Sequence, residues 1–330
     1  MFDISHFGHI AVLYGGTSSE RAVSLISGRT VYQALKTAGF HCTLIDTQHD
    51  VVQQLESIRP DRAFIALHGK EGEDGVMQGL LQMMNIPYTG SDVASSALAM
   101  DKYRTKLVWK GLGLPTPAFQ LITAPVSPKC LPEEYPFPCF VKATRQGSTR
   151  GTYPVKDKKE LLSVLTKAEA LDKEILIEQW IEGKEFSVSI LNNQALPAIR
   201  IEAASGFYDY EAKYELETTN YFIPCGLSAQ EEQQLQDLAV NAFNALGCSG
   251  WGRVDCMQDK TGKFWLIEVN TVPGMTSHSL VPQAADAADL DFTELVVTIL
   301  ATTFNDSERI SISHNHCHAA ITSCQQHHIQ

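Results

Sequence analysis

Two five-residue apolar runs, Ile10-Ala11-Val12-Leu13-Tyr14 and Ala63-Phe64-Ile65-Ala66-Leu67, each run into a glycine step, Gly15-Gly16 and His68-Gly69. A strand that is apolar on both faces must be covered on both, which is the situation of a parallel strand inside an α/β layer. Helical stretches from Glu20 to Gly39 and from Val76 to Met84 follow the two runs, so the first hundred residues read as an open parallel sheet. Ligands of such sheets sit at the carboxyl ends of the strands, which here are the two glycine steps. Gly15-Gly16-Thr17-Ser18-Ser19-Glu20 lacks the spacing of a dinucleotide fingerprint, which argues against a nicotinamide oxidoreductase.

With 330 residues and 44% apolar content the chain can bury two or three cores. A second region, 101–185, opens at Met100-Asp101-Lys102 and has α+β character. Its strand candidates Cys139–Lys142 and Ile175–Glu178 flank a loop and a helix near Lys158 to Ala168. A third region, 186–310, holds the clearest helix. Ser228 and Glu231 predict a capping box, Leu235, Leu238, Ala239, Ala242, Phe243 and Leu246 recur at helical spacing, and Gly247 stops it. The tail 311–330 is rich in His, Ser and Gln and is expected to be weakly ordered.

The net charge of −12 offers no basic field for a nucleic acid or an anionic membrane. No apolar run approaches the roughly 20 residues of a membrane span, and Met1-Phe2-Asp3-Ile4 lacks the features of a signal peptide. Eight scattered cysteines without a CxxC pair suit reduced thiols in the core. The expectation is a cytoplasmic protein.

The stretch Gly252 to Asn270 carries the most chemistry. Arg253 and Asp255 share one strand face, and Glu268 and Asn270 share another. A hairpin turning through two residues at Thr261-Gly262 would set Lys260 against Lys263, Asp255 against Glu268 and Arg253 against Asn270. Opposed carboxylates repel unless something sits between them, and hard oxygen donors suit Mg²⁺ in the company of phosphates. A solvated sheet face with an Arg-Glu pair is the alternative. Beyond the hairpin, Asn270 to Leu280 is a small-residue loop whose amides and hydroxyls could hold a carboxylate or phosphate. Lys142 to Gly151, with two glycines, two hydroxyls and three cations, has the composition of a phosphate-covering lid or of an ordinary surface loop. Phe207 to Tyr214 is dense in charge and aromatics.

Taken together these segments resemble the D-alanine:D-alanine ligases of bacterial cell-wall synthesis, members of the ATP-grasp superfamily. The resemblance runs in order from about Ile10 to Phe304 and is carried by Gly15 to Glu20, His68-Gly69 with Gly72-Glu73-Asp74-Gly75, Met100-Asp101-Lys102, Tyr208 to Tyr214, Gly252 to Asp255 and Glu268 to Leu280. It implies an ATP-grasp fold preceded by a Rossmann-like N-terminal domain, and a homodimer formed through that domain. It further implies ATP and two Mg²⁺ ions, with Mn²⁺ as a substitute, in ligation of two D-alanine molecules through a D-alanyl phosphate. Glu20 would hold the first D-alanine's ammonium, with His68 nearby. Lys102, Lys142 and Lys213 would contact ATP phosphates, and Glu178, Trp180, Ile181 and Glu185 would frame adenine and ribose. Asp255, Glu268 and Asn270 would bind the metal ions, Arg253 and the Gly274 amide the tetrahedral oxyanion, and Ser279 the second D-alanine's carboxylate. Ser148 and Tyr214 would join Glu20 in closing the lids.

The sequence departs from the family pattern in the lid. Alanine follows Lys142 where the family has proline, Gln146 stands at an acidic position, and Thr149-Arg150 replace a serine and a small aliphatic residue. Altered ATP affinity or lid kinetics is the expected consequence. Tyr214 stands where the related depsipeptide-forming ligases carry Phe, which favours D-alanine over D-lactate as acceptor. An ATP-grasp ligase with another acceptor and a catalytically silent nucleotide-binding protein are the alternatives.

Overall fold

β1 (Ile10–Tyr14) is buried from Ile10 to Leu13, as its unbroken apolar sequence requires. It runs parallel between β2 (Cys42–Asp46) and β3 (Arg62–Ile65) in a three-stranded sheet. The computed structural model describes residues 4–128, 135–147, 151–203 and 219–304. α1 (Arg21–Thr37) packs on β1 and β2, α2 (Val51–Ile58) packs on β2, and α3 (Val76–Met83) follows the His68-Gly69 step.

α1 approaches β1 so closely at Gly28 that a Cβ there would collide with Cβ and Cγ of Tyr14. Alanine in place of glycine would gain about 1 kcal/mol of helix propensity. Overpacking against an atom anchored to the strand backbone costs about 1–3 kcal/mol and outweighs it. Gly28→Ala is therefore expected to lower the thermal midpoint by a few degrees. A thermal scan with an unchanged or raised midpoint would refute this contact.

Asp92 caps α4 (Val93–Met100) by accepting the Ser95 amide at 2.8 Å, and Asp101 caps α5 (Lys102–Gly111) by accepting the Arg104 amide at 3.0 Å. A second sheet, antiparallel, has the order β4 (Phe119–Thr123), β7 (Glu174–Gln179), β5 (Cys139–Ala143), β6 (Thr152–Val155). α6 (Lys158–Glu169) lays Leu161, Leu165 and Ala168 on Val141, Ile175 and Ile177 of this sheet.

The third sheet, also antiparallel, is ordered β11 (Thr219–Phe222), β10 (Ile199–Ala203), β8 (Gly183–Leu191), β12 (Trp251–Asp259), β13 (Phe264–Asn270), with β9 (Gln194–Ala195) beside β8. α7 (Ala229–Ala245) begins at the expected Ser228/Glu231 capping box and buries Leu235, Ala239, Ala242 and Phe243 against the sheet. Trp109 of α5 belongs to the same core, donating its indole N–H to the Ala242 carbonyl at 3.0 Å.

The last helices, α8 (Leu280–Asp286) and α9 (Phe292–Ala301), return to the first sheet. Leu295, Val296, Ile299 and Leu300 share its core, and Phe304 meets Phe7 edge to face at 4.8 Å. The five described cysteines, Cys42, Cys139, Cys225, Cys248 and Cys256, are buried free thiols.

The hairpin of β12 and β13 pairs Asp255 with Glu268 and Arg253 with Asn270, as the sequence predicts, but by a different route. The turn is not the two-residue Thr261-Gly262, and Lys260 does not face Lys263. The loop is Lys260-Thr261-Gly262, closed by the Asp259 amide on the Lys263 carbonyl at 2.9 Å and by the Gly262 amide on the Asp259 carbonyl at 3.0 Å. The Asp259 carboxylate accepts the amides of Thr261 and Lys263, which favours this longer turn, and Gly262 takes the left-handed φ of +87° that the turn demands. The register then slips by one, and a bulge restores it: Cys256 pairs with Leu266 and Asp255 with Glu268, leaving Ile267 extra. Burial on β13 records the slip, falling on Phe264 and Leu266 and then on Val269.

Candidate active site

The carboxyl ends of β1 and β3 are tied together by two serines. Ser24 accepts the Gly15 amide and donates to the Ala66 carbonyl, and Ser18 donates to the His68 carbonyl at 2.6 Å. Glu20, at the start of α1, is 7% exposed. Its Oε1 occupies space that a Cβ at Gly69 or Gly147 would fill, so the first sheet and the loop after β5 meet on this carboxylate. Glu73 lies alongside and accepts the Gly69 amide at 2.8 Å. Burial, reinforced by the Glu20 charge, pushes the Glu73 carboxyl well above the usual range.

His68 is buried, with Nδ1 2.9 Å from the Val272 carbonyl and Nε2 2.9 Å from Ser27 Oγ. The Val272 carbonyl can only accept, so His68 donates from Nδ1 and its Nε2 accepts the Ser27 proton, while Ser27 Oγ accepts the Met275 amide at 3.1 Å. Burial lowers the imidazole pKa and keeps it neutral, against the pull of Glu20. His68 and Ser27 thereby fasten the loop after β13 onto the first sheet.

On the hairpin, Asp255 accepts Arg253 Nε and Nη2 at 2.8 and 2.7 Å and the Ser187 hydroxyl of β8 at 2.8 Å. Glu268, opposite it, lies 3.2 Å from Lys102 Nζ, which also donates to the Gln146 carbonyl at 2.8 Å. Asn270 Oδ1 accepts the Val272 amide at 3.0 Å and keeps a second lone pair. Among the described residues no three His, Cys, Asp or Glu side chains cluster as a metal site. The donors here are two carboxylates, paired with Arg253 and Lys102, and a carboxamide. Hard oxygen donors of this kind fit Mg²⁺. A small cavity lined by Glu73, Lys102, Gly147, Glu268 and Asn270 joins this patch to the Glu20 end.

Glu178, on β7, is buried and carries two lysines: Lys142 on Oε1 and Lys106 2.6 Å from Oε2. Burial alone would raise this carboxyl, but Lys106 and Lys142 outweigh it and hold it below the usual value. Burial pulls Lys106 down to about 8. Trp180 stacks on Phe140 with ring centres 4.4 Å apart, and Ile181 is buried beside it. Glu185 lies on β8, with Met257 and Ile201 as its cross-strand partners. These four residues lie on and between β7 and β8, where the chain crosses from the second sheet to the third.

Of the three cations in Lys142 to Gly151, Lys142 sits on Glu178 and Arg145 is committed to Asp172 at 2.6 Å and Glu174 at 2.9 Å. The Thr144 hydroxyl and Arg145 amide also donate to Asp172 at 3.0 Å, anchoring the loop base. Ser279 precedes α8 and does not cap it. Its Oγ accepts the Thr276 amide at 3.0 Å and crowds Gly274, where a Cβ would meet it. Ser148, Arg150, Lys213 and Tyr214 lie outside the described residues, as do the tail 311–330 and the segment Phe207 to Tyr214. Sequence reasoning missed Ser27, Glu73 and Lys106. Glu73 stood inside a quoted motif without a role, Lys106 fell on the i+4 position from Lys102, and Ser27 carried no signal.

Known proteins resemble this chain along most of its length. Residues 108–301 match the family model described as D-ala D-ala ligase C-terminus, and residues 46–91 match D-ala D-ala ligase N-terminus. D-alanine–D-alanine ligase B of Pseudomonas putida is 51% identical over 299 residues, 91% of this chain and 94% of the relative. The D-alanine–D-alanine ligase of Stutzerimonas stutzeri is 52% identical over 298 residues, 90% of this chain and 95% of the relative. Among solved structures, the Bacillus anthracis D-alanine–D-alanine ligase complexed with ATP superposes with a TM-score of 0.79 at 34% identity, covering 90% of this chain and 97% of that one. VanG D-Ala:D-Ser ligase from Enterococcus faecalis does so with a TM-score of 0.79 at 30% identity, covering 90% and 99%. A parallel sheet leading into two antiparallel sheets, with paired carboxylates on the hairpin and buried lysines between the sheets, agrees with these matches, and the chain belongs to the D-alanine–D-alanine ligase family.

Proposed function

We propose that this chain joins two D-alanine molecules with ATP through a D-alanyl phosphate, supplying D-alanyl-D-alanine for peptidoglycan precursors in the cytoplasm. The observation that carries the reading is the convergence of Glu20, Lys102 and Glu268 around Gly147. It brings an ammonium acceptor, a phosphate-binding cation and a metal-binding carboxylate within reach of one cavity. In this reading residues 1–100, 101–185 and 186–310 act as three domains around the site.

Glu20 holds the first D-alanine's ammonium, which turns its carboxylate toward the nucleotide. Glu178, Trp180, Ile181 and Glu185 hold adenine and ribose, and Lys102 and Lys142, with Lys213 by resemblance, hold the phosphates. Asp255, Glu268 and Asn270 would hold two Mg²⁺ ions, which when bound offset charge on the transferring phosphoryl group. A carboxylate oxygen of the first D-alanine attacks the γ-phosphorus and ADP leaves. The amine of the second D-alanine, placed by Ser279, then attacks the acyl carbon. Arg253 and the Gly274 amide carry the negative charge of the tetrahedral intermediate, and inorganic phosphate departs. Acyl phosphates hydrolyse readily, so the loop after β5, with Ser148 and Tyr214 by resemblance, must exclude water.

Ile26, Val76 and Met83, at 55%, 57% and 86% exposure, lie on α1 and α3 and support a homodimer formed through the first domain. No described helix is long and apolar enough to cross a membrane. The VanG likeness supports D-serine as a second acceptor to test, whereas the relatives at about 50% identity favour D-alanine.

The test is phosphate release from ATP and Mg²⁺ with D-alanine, with L-alanine as control and D-serine and D-lactate as competing acceptors, the product read by mass. One dipeptide per phosphate with D-alanine is expected. Release without dipeptide would overturn the acceptor assignment, and no D-alanine-dependent release would overturn the ligase reading.

A further inference from the structure

Lys106 leaves α5 toward the junction of the second and third sheets and has no exposed surface. Its Nζ donates to Thr116 Oγ1 at 2.9 Å and to the Leu266 carbonyl on β13 at 3.4 Å, and it pairs in charge with Glu178 Oε2 on β7 at 2.6 Å. Thr116 donates in turn to the Leu266 carbonyl at 3.0 Å, and the Leu266 amide donates to the Pro115 carbonyl at 2.8 Å. The ammonium therefore ties one sheet's carboxylate to the other sheet's edge strand, two residues from Glu268.

Packing does not account for a lysine here, since an aliphatic residue would fill the site without the cost of desolvating a charge. Neutrality does not account for it either, because Lys142 alone balances Glu178. Two lysines on one buried carboxylate make sense if one of them has a second task. Lys142 is that one, because it is assigned to ATP phosphates and retains some exposure, whereas Lys106 has nowhere else to go.

We propose that Lys106 is a positioning residue: it keeps Glu178 ionised and fixed when Lys142 turns from that carboxylate to the phosphates of bound ATP. The inference rests on the nucleotide-site reading above. Without Lys106, binding ATP would strip Glu178 of its only remaining counter-charge in a dry site, and the cost would fall on nucleotide affinity.

Calorimetric titration of ATP into the full chain tests this with the parent, Lys106→Met, Glu178→Gln and the double variant, beside steady-state kinetics in both substrates. Lys106→Met is expected to weaken ATP binding by about 10- to 100-fold, with kcat and the KM for D-alanine within about threefold of the parent. In the Glu178→Gln background the same change should add no more than about twofold, since the charge it serves is gone. A merely structural lysine would lower the melting midpoint by similar amounts in both backgrounds and leave ATP affinity alone. ATP affinity within about twofold of the parent, or additive losses in the double variant, would overturn the proposal. Should Lys106→Met fail to fold, Lys106→Gln, which keeps donors for Thr116 and Leu266 and loses only the charge, is judged by the same criteria. A parent that binds ATP but makes no dipeptide sinks the ligase reading alone, and a parent that binds no ATP sinks both.

Discussion

Replacing Glu268 by glutamine is expected to stop dipeptide synthesis, lowering kcat/KM by about 10³-fold or more, while the fold survives. Glu268 stands opposite Asp255 on the hairpin and is the carboxylate that Lys102 meets at 3.2 Å. Glutamine keeps the shape and one oxygen but removes the charge that Lys102 meets and that a Mg²⁺ ion held here would need. The pair is partly buried, with Glu268 22% and Lys102 9% exposed, and Lys102 keeps the Gln146 carbonyl, so loss of the pair should cost about 1–2 kcal/mol of stability. Near-parental activity at saturating Mg²⁺, with an unchanged circular dichroism spectrum, would refute the metal assignment.

The second large effect is expected from the smallest change, Gly147→Ala. A Cβ at this position would run into Glu20 Oε1. Oε1 is the far end of a flexible side chain, so the clash is relieved by moving the carboxylate and the backbone need not yield. Stability should stay within about 1 kcal/mol of the parent. The cost is expected in function, because a displaced Glu20 would no longer meet the ammonium it is proposed to hold. The KM for D-alanine is expected to rise about 10- to 100-fold, with ATP affinity little changed. Parental D-alanine kinetics would show that Glu20 and this loop do not meet in the working enzyme. Gly28→Ala is the complementary case: its Cβ meets Tyr14 atoms fixed to a strand, so the penalty there falls on stability.

Much of the architecture was legible because it depends on short-range rules. The apolar runs of β1 and β3, the Ser228/Glu231 capping box and the small-residue ends of the strands each need only a few neighbouring residues to be read. The pairing of Asp255 with Glu268 was read correctly through two deviations that cancel. A turn one residue longer than expected shifts the register, and the bulge at Ile267 shifts it back. The unbroken apolar stretch Phe264 to Ile267 hid the bulge, because alternation cannot be followed where every residue is apolar.

What lay beyond the sequence was the choice of partners. Arg145 was counted among three cations suited to phosphates, yet Asp172 and Glu174 occupy it. The last helix, α9, was grouped with residues 186–310, yet its apolar face is buried against α1 and the first sheet. Period and capping are properties of adjacent residues, so the amino-acid sequence alone determined β1, β3, β5, β7 and the strands of the β12–β13 hairpin, the helices α1, α3, α6 and α7, and the polar residues on the hairpin. A buried charge is stabilised only by whichever opposite charge the fold brings within about 3 Å. Lys106 with Glu178 is such a pair, Ser27 with His68 and Gly147 with Glu20 are contacts without paired charges that are also distant in sequence, and only the tertiary structure decided all three.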